Sequence, residues 1–170
     1  MSPSRDQSTP KQHRAQRLKS TSPVVVLYTD GACTGNPGPG GWAVIVLDGK
    51  KKIGELTGGK PKTTNNRMEL TAAIRGLKAL KKGTTVEVYT DSKYLINCAE
   101  SWIAGWKERG WLKADGTPPM NEGLLRKLDL LLSQHPASWH WVKGHNGDKF
   151  NEKVDALAQA AARKHGRSGR

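Results

Sequence analysis

At 170 residues, with 35% hydrophobic positions, the chain has the size of one ordinary domain that can bury a core without staples. Its 28 Lys+Arg against 15 Asp+Glu give a formal charge of +13, which favours a polyanionic partner, nucleic acid first, and leaves chemistry and sequence preference open. Two cysteines in no metal-ligand spacing, Cys33 and Cys98, exclude zinc fingers and a disulfide framework; the absence of a long apolar run excludes a membrane-spanning helix, so the expectation is a soluble, cytoplasmic protein.

Residues 1–23 are rich in Ser, Thr, Gln, Lys and Arg, with too little apolar surface to offset their ordering entropy, and read as a disordered basic arm. A transit peptide has similar composition and is the alternative for this stretch. The folded domain is expected over residues 24–164, with a basic tail over 165–170. "VVVLYT" from Val24 is a continuous apolar run of the kind found in strands buried on both faces. "GWAVIVLDG" and "KKIGELTGG" follow after short turns, predicting an antiparallel meander. Between Asn66 and Lys82, Leu70, Ala73, Ile74, Leu77 and Leu80 recur at helical spacing, and Gly83 is placed to end the helix. "TTVEVYTD" alternates like a strand, "SKYLINCAESWIAGWKERG" reads as helical, and "LKADGTPPMN" as a loop. A helix "EGLLRKLDLLLSQ", a strand "SWHWVK", a loop "GHNGDKFN" and a helix from about Glu152 to Lys164 complete the order. The fold class is α/β: a five-stranded mixed sheet, three antiparallel strands then two parallel ones, flanked by helices.

"GPGGWA" from Gly38 matches a dinucleotide-binding fingerprint, but a strand follows it where that motif requires a helix, so these glycines read as a strand-to-strand turn. The carboxylates are more informative. Tyr-Thr-Asp ends two apolar runs, leaving Asp30 and Asp91 at strand ends, where open α/β sheets place functional groups. Each could equally cap the segment after it. Glu69 could complete a capping box with Asn66, and Asp155 could be a solvated surface acid. If the four converge, two carboxylates about 4 Å apart repel by about 4 kcal/mol at an effective dielectric near 20, so the cluster needs cations. Oxygen-only ligands favour Mg²⁺ or Mn²⁺ over zinc, and two such ions suit phosphodiester hydrolysis.

The stretches "YTDGACTGNPGPGGWA", "TTNNRMEL", "VYTDSKYL", "SWIAGWKERGWL" and "WVKGHNGDKFNEKVDALA" resemble ribonuclease H of type 1 over nearly everything from Val25 to Ala162. The resemblance implies a ribonuclease H-like fold and endonucleolytic cleavage of the RNA strand of an RNA–DNA hybrid, giving 5′-phosphate and 3′-hydroxyl ends. It implies that Asp30, Glu69, Asp91 and Asp155 hold two Mg²⁺ ions, with Mn²⁺ a possible substitute, and that Asp30 bridges both. His145 matches a histidine thought to shuttle a proton or help release product; the alternative is an exposed loop histidine. Cys33, Asn36, Asn65 and Asn66 match residues that line the minor groove, where the 2′-hydroxyl distinguishes the strands. Thr64 and Asn121 match a pocket for a DNA phosphate, with Lys62 beside it. Ser101 to Lys113 resembles a basic handle in which Trp102 and Trp106 either flank the DNA strand or enter the core; Trp139 and Trp141 read as core. Lys93 and Glu108 depart from the family pattern. The basic arm is too short, and lacks the aromatics, to be the separate hybrid-binding module of some members, and is expected to add nonspecific affinity. Two other readings remain: a silent hybrid- or duplex-binding module, and a related nuclease or integrase acting on DNA. The expected state is a monomer with no obligate protein partner and no membrane association.

Overall fold

The structure, a computed structural model, describes residues 24–144 and 147–168. Strands β1 (Val24–Cys33), β2 (Gly38–Asp48) and β3 (Lys51–Thr63) form the antiparallel meander, and β4 (Thr85–Thr90) and β5 (Ala137–Trp141) add in parallel, giving the order β3-β2-β1-β4-β5. The mixed five-stranded sheet expected from the sequence is present. Helix α1 (Asn65–Lys78) connects β3 to β4. After β4 come α2 (Lys93–Asn97), a π-helical turn (Cys98–Trp102) and α3 (Ile103–Glu108), then α4 (Glu122–Gln134) before β5 and α5 (Lys149–Ser168) after it.

Strand alternation divides the core in two. Val25, Leu27, Val44, Val46, Val86 and Val88 point to one face and pack under Leu70 and Leu77 of α1 and Leu125 and Leu128 of α4. Tyr28, Ala43, Ile45 and Leu47 point to the other, under Val154 and Ala158 of α5. Leu27, Leu70, Leu77 and Leu125 are fully buried, each contributing about 1.5–3 kcal/mol by leaving water. This two-sided burial explains why β1 reads as an unbroken apolar run. Among the described residues no helix is long and apolar enough to cross a membrane.

Three local expectations change. The turn between β1 and β2 is made by residues 34–37, with Gly35 at φ +67°, while Gly38–Gly41 lie within β2 itself. Gly41 is there for close approach: a Cβ would stand 2.4 Å from the Ala158 carbonyl oxygen and the Ala162 nitrogen, so α5 could not close on the sheet. The final helix begins at Lys149 and continues past Lys164 to Ser168. Trp139 packs against the core, but Trp141 is 48% exposed, because it ends the edge strand β5 beyond the helical cover.

Candidate active site

The echo of Tyr-Thr-Asp has a structural meaning. Tyr28 and Tyr89 are register partners in the parallel ladder of β1 and β4, and they are its last pair. Asp30 and Asp91 each stand two residues further on, beside the crevice where the ladder stops, the position in which open sheets carry ligands. Beyond this point β1 continues, paired with β2 alone, to Cys33.

Glu69 reaches the same crevice from the first turn and a half of α1. The N-cap of that helix is Thr64, not Asn66: its hydroxyl accepts from the Arg67 N–H at 3.2 Å. Glu69 is therefore not a capping-box residue; it is 8% exposed and turned inward. Gly31 permits this, since a Cβ there would lie 2.5 Å from the Glu69 nitrogen and clash with α1. Oxygens of Asp30, Glu69 and Asp91 all lie within 4.8 Å of one another. Asp155, half-buried on α5, falls outside that trio, but its carboxyl stands close enough to Asp30 to act on it, while accepting from the Gln159 amide at 3.0 Å.

The electrostatics follow from burial and like charge. Burial first, then the charges of Glu69 and Asp91, hold the Asp30 carboxyl far above the usual carboxylate range. Glu69 is raised by burial and then by Asp91, partly offset by hydrogen bonding. The Gly31 N–H donates to Asp30 Oδ1 at 2.9 Å, but Asp30 Oδ2 and Glu69 Oε2 are buried with no hydrogen-bond donor. Buried acceptors without donors are costly and call for a partner of positive charge. Clustered carboxylate oxygens without nitrogen or sulfur ligands fit a hard cation such as Mg²⁺ or Mn²⁺.

Other elements hold this arrangement in place. Asp148 caps α5 by accepting from the N–H groups of Phe150 (3.1 Å) and Asn151 (3.0 Å), and its other oxygen accepts from the Tyr28 hydroxyl at 3.3 Å. Burial, then the charge of Asp148, push the Tyr28 phenol up to about 12. Asp148 thus ties the start of the helix bearing Asp155 to the strand bearing Asp30. The signal for it was present as an Asp directly before a helical run. The loop after β5 comes back over Asp91: Trp141 Nε1 donates to the Asp91 carbonyl at 3.3 Å, and a Cβ on Gly144 would sit 3.3 Å from Asp91 Oδ2. His145, the next residue, lies outside the described residues.

The expected substrate contacts fall into three places. Asn36, Asn65 and Asn66 are exposed beside the crevice, where Asn36 Oδ1 accepts from the Asn65 N–H at 3.0 Å. Cys33, half-buried, has the carbonyls of Thr63 (3.3 Å), Gly38 (3.4 Å) and Gly35 (3.5 Å) as alternative acceptors for its one proton, and burial raises its thiol. Asn121 receives a hydrogen bond from Arg67 (3.3 Å), which stands in the first turn of the helix capped by Thr64, and donates to the Tyr94 hydroxyl (3.2 Å); Lys62 is exposed nearby in sequence. Arg67 was missed from the sequence, since nothing in "NNRMEL" indicates that its guanidinium meets a residue 54 positions later. In the handle, Trp102 is 42% exposed and Trp106 packs against the core, their rings 6.1 Å apart. Lys93 lies 4.6 Å over the exposed ring of Trp141.

A model of the RNase H family matches residues 22–163. The chain belongs to the ribonuclease H family. It is 54% identical over 138 residues to a ribonuclease H of Phenylobacterium zucineum, covering 81% of this chain and 90% of the relative. To a ribonuclease HI of Caulobacter vibrioides it is 51% identical over 142 residues, covering 84% and 95%. Among solved structures, LC9-RNase H1, described as a type 1 RNase H with the type 2 active-site motif, superposes with a TM-score of 0.75 at 30% identity, over 85% of this chain and 74% of that one. LC11-RNase H1, solved in complex with RNA/DNA hybrid, gives 0.63 at 25% identity over 82% and 97%.

Proposed function

We propose that this chain is a Mg²⁺-dependent endoribonuclease that hydrolyses the RNA strand of RNA–DNA hybrids, leaving 5′-phosphate and 3′-hydroxyl ends. The observation that carries this reading is the trio of carboxylates within 4.8 Å, two of them with buried oxygens lacking donors, in a chain of this family. Asp30, Glu69, Asp91 and Asp155 would hold two Mg²⁺ ions, Asp30 serving both; Mn²⁺ has the same ligand preference. When bound, such ions supply an activated water and stabilisation of the leaving oxygen.

The protein's own part is preorganisation. Gly31, Thr64 and Asp148 fix the backbones that carry Asp30, Glu69 and Asp155, and Trp141 holds that of Asp91, which favours a cluster assembled before substrate arrives. Cys33, Asn36, Asn65 and Asn66 would read the minor groove next to the cut, with amides able to donate and accept against a 2′-hydroxyl. Thr64, Asn121 and Lys62, joined by the Arg67 guanidinium, would hold a phosphate of the DNA strand, and Trp102 and Trp106 with the surrounding cations would flank it. His145 would move a proton or help product leave. The domain carrying this activity would be residues 24–164, acting as a cytoplasmic monomer, with the basic residues of 1–23 adding nonspecific, salt-sensitive affinity.

The test is a gel assay of end-labelled RNA offered as hybrid, RNA duplex and single strand, with Mg²⁺ or EDTA and an Asp91→Asn control. Cutting of the hybrid alone, dependent on Mg²⁺ and lost in the variant, is the expected result. Binding without cutting in either metal would mean a recognition module instead.

A further inference from the structure

One face of α5 is not used by the site described above. Past Asp155 this helix carries no acidic residue, and its turn-spaced Gln159, Arg163 and Arg167 look across a groove at Thr34 of the β1–β2 turn and Pro39 at the start of β2. The groove has two connected hollows. The first, about 520 Å³, begins at Gly31, next to Asp30, and passes Cys33 and Asn65 to reach Arg163. The second, about 480 Å³, shares Thr34, Ala162 and Arg163 with the first and continues past Pro39 and Gly166 to Arg167. Among the described residues no acid lines either hollow. Arg163 and Arg167 are exposed and form no ion pair with any described residue. The floor is small: a Cβ on Gly166 would already touch Pro39 at 3.3 Å, and Ala162 lies one turn back. A groove with a small-residue floor, two guanidiniums along one wall and no carboxylate among the described residues of its lining suits a chain of phosphates.

We propose that this groove is a track for the sugar-phosphate backbone of the RNA strand on one side of the cut, held by Arg163 and Arg167. The proposal rests on the hybrid-cleavage reading, because the strand that is cut must pass over Asp30 and the groove starts there. The proposed phosphate pocket at Thr64 and Asn121 shares no residue with this groove and is assigned to the other strand. Along the helix axis Arg163 and Arg167 stand about 12 Å and about 18 Å beyond Asp155, a reach of a few nucleotides. Cations at a helix C-terminus also complement its dipole. That explanation does not require both arginines to share one groove with the catalytic end, whereas a strand track does.

The experiment measures hybrid affinity by fluorescence anisotropy in EDTA, across a salt series, for the full chain and for Arg163→Ala, Arg167→Ala and the pair. Each substitution should reduce the slope of log affinity against log salt by about 1, and Arg163→Lys should restore it. Lys50→Ala with Lys82→Ala, at the opposite end of the sheet, sets the effect of removing charge alone and should weaken binding far less. Single neutral methylphosphonates along the RNA strand locate the contact. Affinity of the unsubstituted protein should fall at phosphates a few nucleotides to one side of the cut, and the double variant should not respond at those positions. An unchanged salt slope in a folded double variant overturns the track, as does a response confined to DNA-strand phosphates. If the unsubstituted protein binds hybrid and cuts nothing, the hybrid-cleavage reading falls and the track loses its premise, a result distinct from either of the others.

Discussion

At the end of the sheet where β4 begins, His135 is 1% exposed, yet its Nδ1 lies 3.0 Å from the Thr84 carbonyl; that oxygen can only accept, so the ring donates. Nearby, Gly83 donates to the Gln134 carbonyl and Val86 to that of Pro136, both at 2.9 Å. At the opposite end Asp30 and Glu69 are nearly as buried, and each keeps an oxygen with no donor. The same fold thus pairs His135 and its neighbours where they hold the chain together and leaves carboxylate oxygens of Asp30 and Glu69 open where a ligand is to come; Thr29 Oγ1, Thr63 Oγ1 and Asn151 Oδ1 are also buried without a partner. Burial of a polar group is therefore not the functional signal; carboxylates clustered and buried without a donor are.

That contrast can be broken from either side. Replacing Asp91 or Asp30 by Asn should lower hybrid turnover by more than about 100-fold, beyond the roughly 10–100-fold typical of groups that only support a ligand. Circular dichroism should show both variants folded. His135→Ala should do the reverse, costing about 2–4 kcal/mol in urea unfolding through a cavity and an unpaired Thr84 carbonyl, with turnover preserved below the unfolding transition. Gly31→Ala joins the two behaviours, since its Cβ would displace the turn of α1 that carries Glu69. It should cost about 1–3 kcal/mol and lower turnover together. Thr64→Val, which removes the cap of α1 and one hydroxyl of the proposed phosphate pocket, should have the smallest effect, about 1 kcal/mol in unfolding, with a modest loss of activity as the first turn frays and the DNA strand is held less firmly.

Much of this was legible in the residues because it is local. The paired Tyr-Thr-Asp runs gave two strand ends, and the helical spacing of Leu70, Ala73, Ile74 and Leu77 gave the helix that carries Glu69. What the sequence could not give depends on what arrives from elsewhere. Trp141 looks like its neighbour Trp139 until β5 is known to be an edge strand. The glycines from Gly38 look like a turn until α5 is known to lie against Gly41. Arg67 and Asn121 meet across 54 positions, and Asp148 reaches Tyr28 across 120. Asp155 was visible as a motif residue, but its place just outside the tight trio was not.

The most direct measurement is the melting temperature near pH 8, in EDTA and in saturating Mg²⁺, for the unsubstituted protein and Asp30→Asn. Burial and like charge raise the Asp30 and Glu69 carboxyls above their unfolded range, so the stability they contribute is complete below about pH 4 and is lost as pH rises toward their folded values. Without metal the protein should therefore weaken as pH rises from about 4 through neutrality, and near pH 8 Asp30→Asn should be the more stable by on the order of 1 kcal/mol, about one pKa unit's worth. Mg²⁺ should raise the melting temperature of the unsubstituted protein and leave that of the variant nearly still. Equal melting with and without Mg²⁺ in the unsubstituted protein, or an equal rise in the variant, would contradict a cation site at these carboxylates.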